Sequence, residues 1–460
     1  MMRRWLLLIL SFALVFTLIA CSSNTENEIT GGSNVEKVSD MKGTVRVALA
    51  GWKLENGIDP LTGNETIGLN DYLKATFNKM YPNIKLEVYQ IPWENAKAKQ
   101  SAMLLSKDVD VLYTGGAFAS QWYQEGLLRD LDDLIEVDAS FDPNIYLPGI
   151  MNNSYSTKSP DGSKQFGIPV ALGRRMIVYD TKLFEDWGVE PLAKKPTAEE
   201  ILEKGEKMTG KNPKTGEQNY GLHWSGNSLN GSTFVALTLA FGAKGAEGSL
   251  NDVKNIKWKL NTPEMVKVME WLKKASLLPP KGFITGQGAE NFGLDKNNIA
   301  IGIDQNGGST MSEYRTKKDE ALLSRFEPVM NVGPEGEGWV AVDPFVMSKD
   351  ANDVKASWEV LKFLTGYETQ KYMYENYANT PTLSKADFVD KEDKFVKMAL
   401  DIAAVGHSEL MDEANPFFMS DITPAINGFI SKAAAGSPPD IPTFLDDLQE
   451  RAEKWTANLK

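Results

Sequence analysis

The sequence predicts an α/β fold with more than one core, and three observations carry that expectation. From Thr44 onward, short β-rich runs alternate with runs of helical period, the pattern of helix-covered parallel sheets. Apolar residues make up 42 % of the chain, enough for large cores. The stretch from Thr44 to Lys460 is too long for one core, so two domains are expected.

The elements follow in order. Thr44–Ala50 reads as a strand, and 68–80 as a helix with Leu69, Leu73 and Phe77 on one face. Ile84–Gln90 is a second strand, 95–107 a second helix, and "VDVLYTGG" (109–116) a third strand running into glycines. "QFGIPVALGRRMIVYD" (165–180) contains two strand-like stretches. Helix signals follow at 182–187 and 197–208, where Thr197 and Glu200 have the spacing of a capping box. Over 261–278, Asn261 or Thr262 caps an amphipathic helix with Pro263 in its first turn and Met265, Val268, Met269 and Leu272 on one face. "NIAIGIDQNGG" (298–308) is another strand, and 441–458 a closing helix with Phe444, Leu448, Ala452 and Trp455 on one stripe. There is no internal repeat.

The first forty residues are of another kind. Arg3 and Arg4 precede an apolar run from Trp5 to Ala20, shorter than the roughly 20 apolar residues of a membrane span, which describes a secretory signal over residues 1–20. Cys21, the single cysteine, follows at once. Leu18-Ile19-Ala20-Cys21 resembles the bacterial lipobox, in which the thiol is alkylated by diacylglycerol and the new amine is often acylated, for example by palmitate. Two or more acyl chains, at about 0.8 kcal/mol per buried methylene, hold a protein stably on a membrane. An ordinary signal with a chance cysteine is the plainer alternative. Residues 22–40 are polar and rich in Gly, Ser and Asn, so 21–42 reads as a lipidated cysteine and a flexible tether reaching on the order of 25 Å.

Removing the signal takes away two arginines and no acid, moving the formal charge from −13 to −15. So acidic a surface argues against nucleic acid and anionic lipid as partners. With Cys21 used, no disulfide and no cysteine-ligated metal are available.

Enzyme signatures are weak. Only His223 and His407 occur, too far apart in sequence for a metal-ligand pair, and there is no Gly-x-Ser-x-Gly elbow. "GEKMTGKN" (205–212) misses a phosphate-binding loop at Asn212 and in context, and "GQGAEN" (286–291) lacks the third glycine of a dinucleotide fingerprint. No cofactor is expected. A glycoside hydrolase or lyase needs only two carboxylates, so it stands as the rival from another class.

Several stretches, in order, resemble one family. "DVDVLYTGG…WYQEGLLRDLDDLI", "KQFGIPVALGRRMIVYDTKLFEDWGV", "GEGWVAVDPFVMSKD" and "ASWEVLKFLTGYETQKYM" are similar to segments of the extracellular solute-binding proteins of ABC importers, carbohydrate-binding group. The resemblance runs from about Thr44 to the end. It implies a two-lobe periplasmic-binding-protein-like fold with hinge crossings and an interlobe ligand cleft. The first lobe would comprise 43–171 and 304–363, and the second 172–303 and 364–460. Crossings would fall near Ala171–Arg174, Gly302–Asn306 and Leu364–Gly366, where Gly173 and Gly366 allow backbone rotation. The implied role is a monomeric, lipid-anchored receptor on the extracytoplasmic face of the cell membrane. It would hand an oligosaccharide to ABC permease subunits.

A sugar site needs aromatic platforms and hydrogen-bonding side chains. Trp187, Trp271, Trp358, Trp455 and Trp258 have apolar or alternating settings and read as core, while Trp122 is ambiguous. Trp52, Trp93, Trp224 and Trp339 fall in or beside polar or glycine-rich loops and are the aromatic candidates. The polar candidates are Lys53, Arg174, Asn227, Asp304, Asn306 and Asp343. Two departures bear on the ligand. Thr114-Gly115-Gly116-Ala117 stands where maltodextrin-binding protein carries an aromatic and charged grip, and Gly173 stands in place of a carboxylate. The implied wall is open, with bare backbone amides, and leaves room for a bulkier or branched glycan. A uronate, polyamine or peptide is the alternative within the binding role.

Overall fold

The computed structural model describes residues 41–58, 65–154, 156–173, 175–224, 232–285, 287–306, 319–338, 340–377, 379–405 and 415–459. The signal, Cys21 and the tether up to residue 40 lie outside the described residues. The compact unit runs from Val38 to Lys460.

Ten strands form two mixed sheets. They are β1 (Gly43–Ala50), β2 (Ile84–Ile91), β3 (Val111–Tyr113), β4 (Gly167–Leu172), β5 (Arg175–Asp180), β6 (Gly210–Lys211), β7 (Gln218–Trp224), β8 (Ile299–Asn306), β9 (Phe326–Val329) and β10 (Val342–Met347). The first sheet has the order β2-β1-β3-β10-β4 and the second the order β9-β5-β8-β7-β6. In the first sheet β1 runs parallel to β2 and β3, pairing Gly43 with Ile84 and Val47 with Val111. β10 is antiparallel to both β3 and β4. In the second, β8 is parallel to β7 and antiparallel to β5. The inner strands are largely apolar (β3 is buried at every residue), as sheets covered on both faces require.

Each sheet has its own core. Val45, Val47, Leu112, Phe166, Phe345 and Trp358 belong to the first, and Leu222, Trp224, Val268, Trp271, Ile301 and Leu448 to the second. Of the tryptophans read as core, Trp258, Trp271 and Trp358 are buried, whereas Trp187 and Trp455 are half-buried at the edge of the second core. Trp122 is buried and donates through Nε1 to Ser101 Oγ at 2.8 Å.

Helix ends follow the capping residues. Thr197 Oγ1 accepts from the Glu200 N–H at 3.0 Å, but the Glu200 carboxylate turns to Ala193 N and Lys204 Nζ, so the capping box is half made. Thr262, not Asn261, caps the Pro263–Ala275 helix. The single helix expected over 68–80 is broken into Leu69–Ala75 and Phe77–Met80. Thr76 causes the break: its hydroxyl donates to the Tyr72 carbonyl at 2.6 Å, competing for an acceptor that would serve the helix. The third strand is shorter than expected, because Gly116 already opens the Gly116–Gln124 helix.

The chain passes between the sheets three times. It leaves the first after Leu172 and enters the second at Arg175. The second passage differs from the one expected at Gly302–Asn306. That segment is the body of β8 in the second sheet, and the chain returns only between Val329 and Val342. Nor does it cross at Leu364–Gly366. Gly366 merely separates the Val354–Thr365 and Tyr367–Tyr377 helices, and Leu364, Tyr372, Met373 and Leu383 all belong to the first core. The third passage lies between Leu383 and Phe395, which packs with Met176, Val178 and Phe326 of the second sheet.

The passages are stitched together. Gly173 N–H donates to the Ala341 carbonyl at 2.8 Å, and Leu172 N–H to the Thr380 carbonyl at 3.1 Å. A Cβ on Gly173 would lie 2.6 Å from the Ala341 Cβ, so glycine serves close approach here.

Candidate functional site

Topology selects one edge of each sheet. β1, β2, β3 and β4 all end on the same edge of the first sheet, because β4 is antiparallel to β10 and β10 to β3. β7 and β8 end on the edge of the second sheet where β5 begins. The short link from Leu172 to Arg175 joins these two edges, so the carboxyl ends of both sets of strands meet at the passage. Loops at such ends are where α/β sheets bind ligands.

The first-sheet wall is aromatic. Gly51 follows β1 with φ +74°, a conformation that favours glycine, and a Cβ there would lie 2.1 Å from Trp93 Nε1. The Trp93 indole thus rests directly on backbone, at the start of a single turn after Pro92, and remains 42 % exposed. Its ring meets Tyr113 edge-on at 5.9 Å between centroids. Trp52 is not an exposed platform: it is 3 % exposed, wedged edge-on against Tyr113 at 5.4 Å and Phe345 at 5.8 Å, so it props the wall from behind. Lys53 beside it is exposed, and its carbonyl accepts from Leu69 N–H.

Asp343, one residue into β10, stands between this wall and the passage. The Tyr113 hydroxyl donates to Asp343 Oδ2 at 3.3 Å. Burial, and then the neighbouring Asp343 carboxylate, hold that hydroxyl well above the ordinary phenol range, so it stays a donor. Around Gly115 an added Cβ would find Phe118 and Trp93 each at 3.8 Å and Asp343 at 3.9 Å, ordinary contact distances. Gly116 differs, because a Cβ there would meet Ser156 Oγ and the Val342 carbonyl at 2.5 Å. The floor between Trp93, Phe118 and Asp343 is therefore bare backbone at the first turn of a helix, where amides lack intrahelical acceptors.

The second-sheet wall corrects one expectation. Trp224, at the end of β7, is fully buried in the second core against Phe283 at 5.1 Å, because it shares a face with Leu222. It offers no face to a ligand. His223 is also buried, with Phe292 at 6.2 Å, and burial pushes its imidazole down to about 4. Asp304 and Asn306 lie in the last three residues of β8, Asp304 within an irregularity in its pairing with β5 and Asn306 beyond it, opposite Arg175. Arg174, Asn227 and Trp339 lie outside the described residues.

Thus Trp93, Trp52 and Asp343 come together around Tyr113 on one wall, with Lys53 next to Trp52 in the chain, and the carboxyl end of β8 belongs to the other. Tyr113, Phe118 and Gly51 were not singled out in the sequence. Tyr113 reads there as one more apolar strand residue, although a phenol at the last strand position before Gly115-Gly116 was an available signal. Among the described residues no cluster of three or more His, Cys, Asp or Glu could hold a metal ion. No helix among them is long and apolar enough to cross a membrane.

Fold and topology together define an α/β protein of two sheet-based lobes whose strand carboxyl ends meet at one passage. The bacterial extracellular solute-binding protein family matches residues 62–371, and the chain belongs to that family. Its members bind solutes outside the cytoplasm. Among solved structures the chain is similar to the sugar-binding protein MalE from Xanthomonas citri, with TM-score 0.70 and 16 % identity over 90 % of this chain and 98 % of that one. It is similar to an ABC substrate-binding protein from Listeria monocytogenes in complex with cycloalternan, with TM-score 0.65 and 16 % identity over 91 % of this chain and all of that one. A third is an ABC transporter solute-binding protein from Agrobacterium vitis with bound D-mannitol, with TM-score 0.64 and 20 % identity over 90 % of this chain and 98 % of that one. No curated protein matches the chain by sequence.

Proposed function

We propose that this solute-binding protein is a lipid-tethered receptor that captures an oligosaccharide between its lobes and delivers it to an ABC permease. The observation that supports this reading most is the exposed Trp93 indole seated on Gly51, with the Asp343 carboxylate and bare backbone at Gly115 beside it. An indole face receives the apolar side of a sugar ring, and burying that face contributes about 1–3 kcal/mol. Asp343, Lys53 and the strand-end residues Asp304 and Asn306 supply partners for the hydroxyl rim, with Arg174, Asn227 and Trp339 as further candidates. Cycloalternan and D-mannitol in the related structures are polyhydroxylated ligands. The open floor, without a long polar side chain at Gly115 or Gly116, suits a bulky or branched glycan.

Ligand that touches both walls stabilises the arrangement in which they are close, so binding shifts an open–closed equilibrium. The closed monomer then docks on permease subunits, while Cys21 keeps the receptor at the membrane.

The test is a melting-temperature screen of residues 22–460, which include the whole compact unit, against neutral, acidic and branched oligosaccharides, with product analysis on each hit. A ligand at 100 times its dissociation constant adds about 2.7 kcal/mol. A shift with the glycan recovered intact supports a sugar receptor. Cleavage products would make the protein an enzyme, and a flat response across the panel would remove oligosaccharides as its ligands.

A further inference from the structure

A second cavity, of about 630 Å³, opens at the third passage, away from the residues of the strand-edge site. Its size falls within the range of about 300–1,000 Å³ usual for small-molecule sites. Leu147, Leu383, Val389 and Leu400 give it apolar walls, and Lys385 and Lys391 stand among its lining.

The walls belong to different lobes. Leu383 lies in the first core, and Leu147 is tied to the same segment by its N–H, which donates to the Thr382 carbonyl at 2.7 Å. Leu400 rides on the Lys394–Val405 helix, which packs on β5 and β9 of the second sheet. The charged residues are not equivalent either. The Asp387 carboxylate is taken by the Tyr367 hydroxyl. Lys385 and Lys391 are exposed, and neither has an ion-pair partner among the described residues. The trough is thus apolar within and is lined by two lysines against one carboxylate, which the Tyr367 hydroxyl engages, on a chain whose formal net charge is −13.

We infer that this cavity is a second ligand site, for an aliphatic monocarboxylate whose alkyl chain fills the trough and whose carboxylate meets Lys385 and Lys391. Its occupant touches Leu147 and Leu400 at once, so its affinity depends on the spacing of the two lobes. By linkage, an occupant here and a solute at the strand edges alter each other's affinity by the same factor.

Decanoate, below its micelle concentration, is the probe. Calorimetry on residues 22–460 should give one saturable site. The double variant Lys385→Gln/Lys391→Gln should bind at least fivefold more weakly at an unchanged melting temperature, since both side chains are exposed. Decyltrimethylammonium, with the same chain and the opposite charge, is the control. Diffuse electrostatics on so acidic a protein favour the cation, and only a built site favours the anion. No saturable binding, equal binding by the double variant, or preference for the cation would each overturn the inference. None of these outcomes touches the sugar reading, which rests on a separate ligand panel.

Discussion

At the scale of single residues, Trp93 is the side chain on which the proposed site most depends. Replacing it with alanine should weaken solute binding at least tenfold and leave the unliganded melting temperature nearly unchanged, because the indole is 42 % exposed and lies outside the first core. Calorimetry with the solute found in the screen reads the first quantity, and a melt without ligand reads the second. Unchanged affinity would take Trp93 out of the site. His223 gives a second residue-scale test, through pH. Its folded pKa of about 4 lies below the ordinary 6.5, so on acidification the unfolded chain takes up the proton first. The stability associated with the neutral, buried ring is complete above about pH 6.5 and is lost as pH falls towards 4. At pH 5 the loss amounts to about 2 kcal/mol. Urea unfolding at pH 7 and pH 5 should show that the His223→Gln variant lacks this part of the acid sensitivity. An equal drop in both proteins would assign it to other groups. The sequence picked out Trp93 because it falls in or beside a loop flanked by polar residues. It could not separate Trp93 from Trp52 and Trp224, since a loop position does not reveal which neighbours arrive from distant strands. Tyr113 and Phe345, which enclose Trp52, are far from it along the chain.

Among the elements, periodicity and capping made most strands and the longer helices readable, and the exceptions have local causes. Thr76 breaks a helix by bonding back to Tyr72, and Gly116 converts the end of a strand into the start of a helix. The passages were harder to place, because a glycine count does not distinguish a hinge from a helix break. Gly366 is the latter, whereas Gly173 is needed for its contact with Ala341. Gly173→Ala should cost about 1–3 kcal/mol through overpacking, and Ala341→Gly introduced with it should restore most of that loss. Denaturant melts of the two single variants and the double variant measure the coupling. Additive effects would show that the two positions do not press on each other. Thr197→Ala should cost about 1 kcal/mol from the loss of its cap, read in the same melts.

For the whole molecule, two sheets whose strand carboxyl ends meet at one passage suit the proposed reading, in which a solute bridges both edges. A solute bridging the edges stabilises one arrangement of the lobes over others, and small-angle scattering should show the radius of gyration falling when the solute is added. A hit in the melting screen with an unchanged radius would mean that binding uses one wall only. The alternation of strands and helices revealed that there is more than one core. Which segment belongs to which core was hidden, because β10 and the helices after it return to a sheet begun some three hundred residues earlier.

That return has a consequence for how the chain is made. β10 sits between β3 and β4, so the first sheet lacks an inner strand until Val342–Met347 has been synthesised. Everything up to Asp180 can acquire local structure, but it cannot close a cooperative core, and the pairing that closes it is of high contact order and therefore slow. The first lobe of a nascent chain therefore stays open over three quarters of the chain's length, which favours a translocation-competent state over early folding.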